Sequence, residues 1–140
     1  MDQQNIDKLI SNYLSKNIKF SDENIFAAKL SLLDTLGCIY NASTYDDPMR
    51  FATRDVYGAN TNPFNVLGNM QSSSEMARYF SILTRWFDYN DTFLAKEWAH
   101  PSDNIGTALG YFTNHKEKNI SQFLQSIIQM YEIQGGLALG

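Results

Sequence analysis

Residues 85–104 read RWFDYNDTFLAKEWAHPSDN, which places three Asp, one Glu, one His, two cations and two Trp in twenty positions. A surface helix does not need such aromatics, and a core helix does not tolerate such charges, so the mixture suggests a lined cleft. If the helix through Arg85 continues, Asp88, Asp91 and Thr92 fall on one face at i, i+3, i+4, with Arg85 one turn earlier. His100 then stands at the entry to the next helix, and Pro101 suits that helix's first position while biasing His100 towards an extended backbone. Backbone N–H groups of residues 102–104 would point out of the helix N-terminus, where a carboxylate or phosphate can be held. A carboxylate, an imidazole and an anion pocket side by side are the parts that proton abstraction next to a carboxylate, or elimination of water, requires.

The same residues fit plainer roles. Asp88 and Asp91 could be solvated helix residues with Arg85 as their ion-pair partner. His100 could cap a helix, and Asp103 could answer the dipole at a helix start. Trp86 and Trp98 are expected in the core, and Cys38 is expected to be a small buried hydrophobe. His115 is expected in a surface loop. Asp88, Asp91, Glu97 and His100 include ligand types for a divalent ion, yet their spacing fits no compact binding loop, so no metal is expected.

Five helices must position these groups. Ile6, Leu9, Ile10 and Tyr13 recur at helical spacing. Ser21, followed by Asp22 and Glu23, starts a second helix with a cap and two acids at the positive end of the dipole, and that helix ends in YNAS. Residues 41–71 read as loop, punctuated by Pro48, Gly58 and Gly68, with FNVLG as a short extended piece. A third helix starts at Ser72, whose spacing to Glu75 is that of a capping box, and buries Met76, Phe80 and Leu83. Two more span 100–114 and 120–136. The pattern predicts an all-α helical bundle.

The 140 residues suffice for one domain, 1–140, with one sizeable core. A net charge of −4 without a basic run excludes nucleic acid as the expected partner, and would repel an anion unless cations stand close by. One cysteine allows no intrachain disulfide. The N-terminus carries no secretory pattern, and the best apolar run is broken by Lys29 and Asp34, so a cytoplasmic protein without a membrane span is expected. Leu137 and Leu139, at the end of QGGLALG, are expected to pack on something beyond the helix.

Asp88-Tyr89-Asn90-Asp91-Thr92, a variable stretch, and then His100-Pro101-Ser102 resemble the signature of the MmgE/PrpD family, approximately D-[FY]-[ND]-D-T followed by H-P-S. LLDTLGCIY at 32–40 is similar to the family's early D-x-x-G-C/A helix, and YEIQGGLAL at 131–139 is similar to its H/Y-E-I-Q-G helix. The linker, the EW before the histidine and Asp103-Asn104 look more like the dehydratase branch than the cis-aconitate decarboxylase branch. The resemblance implies a hydro-lyase that removes water from 2-methylcitrate to give 2-methyl-cis-aconitate in propionate breakdown, with a small tricarboxylate as partner and no cofactor, in particular no iron–sulfur cluster. It implies that Asp88 and His100 line the active site with Thr92 nearby; Arg85 is added as a substrate contact from helical spacing alone. Family members are much longer, with a helical domain and a separate α/β lid. The chain is therefore expected to be the N-terminal part of the helical domain without the lid, with little activity alone. Alternative readings are a non-catalytic interaction module that self-associates or pairs with a separately encoded remainder, and a related cis-aconitate decarboxylase or other tricarboxylate lyase.

Overall fold

The computed structural model describes residues 3–70, 72–115 and 117–140. Among the described residues, six α-helices run in the order α1 (Gln3–Leu14), α2 (Asp22–Ser43), α3 (Asp46–Thr53), α4 (Ser73–Arg85), α5 (Asp103–Asn114) and α6 (Ile120–Leu139), with a 3₁₀ turn at Asn65–Asn69 between α3 and α4. Among the described residues there is no strand, only an isolated antiparallel bridge between Phe93 and Ala99. The all-α expectation therefore holds.

Helix starts follow local chemistry. The Ser21 hydroxyl accepts the Asn24 N–H while the Asn24 side chain accepts the Ser21 N–H, a reciprocal cap at the head of α2. Asn119 and Gln122 make the same pair at the head of α6. The Ser72 hydroxyl accepts the Glu75 N–H of α4 at 3.2 Å, as its spacing implies.

Four expectations are corrected. Residues 46–53 form α3 rather than loop; Pro48 lies in the first turn, where its missing N–H costs nothing. FNVLG belongs to a 3₁₀ turn, not an extended piece. Most consequentially, α4 stops at Arg85, and Asp88 adopts a left-handed φ of 59°, so Asp88, Asp91 and Thr92 do not share a helical face. Likewise, regular α5 begins at Asp103, after a tight turn in which the Asp103 and Asn104 N–H groups donate to the carbonyls of His100 and Pro101.

Two apolar clusters share Leu109. One joins Ile39, Met49, Val66, Tyr79, Phe80 and Leu83; the other joins Ala28, Ile105, Phe123, Leu124 and Ile127. Helices α4 and α5 form the most extensive pair, and Gly106 and Gly110 of α5 face the α4 backbone directly. Helix α1 meets α6 through a Tyr13–Glu132 hydrogen bond, beside a groove of about 560 Å³ lined by Ile6, Leu9, Ile133 and Leu137. Leu137 and Leu139 are exposed, as are Phe26, Leu30, Leu33 and Tyr40 along α2. No described helix is long and apolar enough to cross a membrane.

Candidate active site

Between α4 and α5 the chain makes a loop, residues 86–102, closed at its waist by the Phe93–Ala99 bridge with N–H to carbonyl distances of 2.8 and 3.0 Å. The loop tip crosses the end of α6, where the Glu97 N–H donates to the Ala138 carbonyl at 3.0 Å and the Phe93 ring lies over Gly135. Below the waist, residues 90 and 91 grip residues 100–103. Asn90 donates from Nδ2 to Ser102 Oγ at 2.9 Å and to Asp103 Oδ1 at 2.8 Å. The Asp91 carboxylate accepts the Ser102 N–H at 3.1 Å, and the Asp91 carbonyl pairs with His100 Nδ1 at 2.7 Å.

That last contact decides what His100 can do. A carbonyl only accepts, so a neutral imidazole must carry its proton on Nδ1, which leaves the lone pair on Nε2. Nε2 is buried, makes no hydrogen bond of its own, and faces Asp88 Oδ1 at 3.9 Å. The imidazole is 8% exposed and meets the Trp98 ring edge-on, while the Asp88 side chain is 65% exposed. The fold thus brings together a sheltered imidazole and a solvent-facing carboxylate, through a loop rather than along a helix. Thr92 is exposed on the same loop.

Other expectations are revised. The N–H groups at residues 102–104 form no open anion pocket, because the protein's own Asp91 carboxylate and the His100 and Pro101 carbonyls already occupy them. The Arg85 guanidinium is likewise engaged: it contacts the Asp88 carboxylate directly and lies 3.8 Å from Asp103. Lys96 stands apart, beside Gly140 at the groove below α1. Trp98 is 67% exposed and Trp86 lies at the surface against Phe51, so neither is a core residue. Cys38 is half-buried; burial first, and then Asp34, push its thiol up, which disfavours a reactive thiolate. His115 ends α5, stacked on Tyr111. Among the described residues no group of three or more His, Cys, Asp or Glu could hold a metal ion.

Tyr131 carries no role in the sequence motifs. Its hydroxyl is buried beside Ser31, Asp91 and Ser102 without meeting any at hydrogen-bond geometry, and burial pushes its phenol well above the ordinary tyrosine range. Its only sequence signal was its place at the start of YEIQG.

Asp103 carries a testable charge effect. Burial pushes its carboxyl up, against the opposing pulls of the Asn90 amide, Arg85 and His100. A carboxyl whose affinity for protons is higher when folded favours the fold below its unfolded titration range and loses that contribution as pH rises through the folded one. Ionised Asp103 is therefore a net cost at neutral pH. Asp103→Asn is expected to stabilise the chain at pH 7, by less than about 1 kcal/mol because a carboxylate this exposed is screened, and to match the wild type near pH 3. Urea unfolding at the two pH values measures it; a variant less stable at pH 7 than at pH 3, relative to wild type, contradicts the assignment.

The fold is an all-α domain that presents an imidazole and a carboxylate on a loop clamped to a helix start. Residues 9–140 match the MmgE/PrpD N-terminal domain, and the chain belongs to that family. It is 32% identical to the probable 2-methylcitrate dehydratase of Saccharomyces cerevisiae over 94% of this chain and 28% of that protein. It is 36% identical to the 2-methylcitrate dehydratase of Cupriavidus necator, over 80% of this chain and 26% of the relative. The 2-methylcitrate dehydratase of Escherichia coli K12 is 35% identical over the same shares, 80% and 26%. The chain spans about a quarter of the length of these curated relatives.

Proposed function

We propose that the chain carries one wall of a 2-methylcitrate dehydratase-type active site, with His100 as the acid–base group and Asp88 as its partner. The observation that carries this is the imidazole whose Nδ1 is held by the Asp91 carbonyl while its sheltered Nε2 faces Asp88 at 3.9 Å. Water loss from 2-methylcitrate needs a base for the proton next to a carboxylate and an acid for the departing hydroxyl. A single imidazole with a carboxylate neighbour can serve both ends in turn. In this reading the exposed Thr92 hydrogen-bonds a substrate carboxylate, and Arg85 meets one when the substrate displaces Asp88 or Asp103.

Charge sets the limit of the chain alone. Asp88 and Asp103 flank the Arg85 guanidinium, and Asp91 adds a third carboxylate on the same loop, a poor balance for a tricarboxylate. We therefore expect the 140-residue chain to turn over 2-methylcitrate little or not at all, and to bind it weakly. Nitrogen-resolved NMR titration of the chain with 2-methylcitrate is expected to move the signals of Arg85, Thr92 and His100. Shifts confined to residues far from this loop would overturn the proposal. Catalysis is tested in a fusion in which these residues replace the matching N-terminal portion of the Cupriavidus necator enzyme.

A second role has its own observation. Phe26, Leu30, Leu33 and Tyr40 leave an apolar stripe on α2 open to solvent. Such a stripe suits self-association. Light scattering reads this directly, and a stable monomer at high concentration counts against self-association.

A further inference from the structure

We propose that Asn90 is the positioning residue of the site: its buried amide fixes the Asp91 carbonyl and so sets which nitrogen of His100 carries the proton. The inference rests on His100 being the acid–base group. Asn90 is 4% exposed, and both of its amide protons are committed. Nδ2 donates to Ser102 Oγ and Asp103 Oδ1, and Oδ1 faces Arg85 Nη1 at 3.4 Å. No other side chain of this length donates twice and accepts once from one planar group. Aspartate in its place would set a second carboxylate against Asp103 with no proton to share. Alanine would leave the Ser102 hydroxyl and the Asp103 carboxylate short of a donor in a half-buried setting.

The coupling to His100 is through one peptide unit. Asn90 pins its own residue to α5; the next residue, Asp91, then has its carboxylate on the Ser102 N–H at 3.1 Å and its carbonyl at His100 Nδ1, 2.7 Å away. These four contacts form one clamp between residues 90–91 and 100–103, and hydrogen bonds in such a network reinforce one another. With the clamp intact, His100 keeps Nδ1–H and presents a free Nε2. With the amide gone, the Asp91 carbonyl turns away and His100 relaxes towards the Nε2–H tautomer that free histidine favours in water. The base would then be capped by its own proton. Nothing about this requires Asn90 to touch substrate.

The tautomer can be read on the 140-residue chain without turnover, from ring nitrogen shifts at about pH 8.5, two units above the ordinary imidazole range. His115 is an internal control, because its Nδ1 pairs with the Tyr111 carbonyl at 2.7 Å away from the clamp. The wild-type chain is expected to give the Nδ1–H signature at both histidines, with the two Asn90 amide protons protected from exchange. Asn90→Ala and Asn90→Asp are each expected to lose that signature at His100 while retaining it at His115. A folded variant of either kind that keeps Nδ1–H at His100 overturns the inference, and so do wild-type Asn90 protons that exchange freely. Loss of the whole fold in both variants also counts against it, since Asn90 would then hold the domain rather than the imidazole. In the fusion, the same substitutions are expected to lower kcat with little change in KM. Tautomer loss without any dehydratase activity in the parent fusion would sink the catalytic role and leave the clamp standing.

Discussion

Gly110→Ala is expected to destabilise the chain by about 2–4 kcal/mol, a loss of roughly 30- to 1000-fold in the ratio of folded to unfolded protein. On an isolated helix the same change stabilises, because alanine is the better helix former by about 1 kcal/mol. Packing reverses the sign. A Cβ at Gly110 would stand 2.3 Å from Ala77 N, 2.7 Å from Ala77 Cα and 2.7 Å from the Ser73 carbonyl oxygen. All three are backbone atoms of α4, and none can swing aside as a side-chain tip could. Relief requires the two helices to part, and theirs is the most extensive helix contact of the fold. One turn earlier, Gly106 repeats the contact against Ser81, with its Cβ position 2.6 Å from the backbone nitrogen. Gly37, in the middle of α2, meets nothing within 4 Å. Gly37→Ala is therefore the control, expected to stabilise by about 0.5–1 kcal/mol. Urea unfolding of the three proteins measures both signs; equal effects at the two glycines would contradict the close approach of α4 and α5.

The glycine contact marks a limit of what the sequence discloses. GTALG reads as an ordinary stretch of helix until its partner is known, because small residues four apart matter only when another backbone lies over them. Two helix starts were legible for the opposite reason: Ser21 and Ser72 satisfy N–H groups within three residues, so the chemistry is local. Helix α3 hid behind Pro48, whose place in a first turn looks like punctuation. The end of α4 gave no warning either. No proline or glycine stands at 86–88, and the break is absorbed by Asp88 at positive φ, a conformation aspartate tolerates better than most residues. Yet the break is what turns Asp88 towards His100. Helical spacing thus brought Asp88, Thr92 and Arg85 into one region by a geometry the fold does not use. The His100–Pro101 pair, by contrast, did mark the approach to a helix start. Asn90 was visible only as a letter of a motif. Its role depends on Ser102 and Asp103, a dozen residues away, and no periodicity links them.

His100→Gln in the fusion is expected to lower kcat by about 10²- to 10⁴-fold, the usual contribution of a positioned acid–base group. Glutamine can keep a hydrogen bond to the Asp91 carbonyl through its amide, so the loop clamp survives. What disappears is a nitrogen able to take and return a proton where Nε2 now faces Asp88. Asp88→Asn should cost less, because the carboxylate orients and balances charge while the imidazole moves the proton. Combining the two should add little to His100→Gln, since groups that act as one unit are not additive. The rise in ultraviolet absorbance as the new double bond conjugates with a carboxylate follows the reaction. Arg85→Lys separates ground-state binding from chemistry: an ammonium cannot span Asp88 and Asp103 as the guanidinium does, so KM is expected to rise more than kcat falls. A His100→Gln fusion within threefold of the parent in kcat would show that the proton is moved by another group. The buried Tyr131 hydroxyl, beside Asp91 and Ser102, would be the first to test.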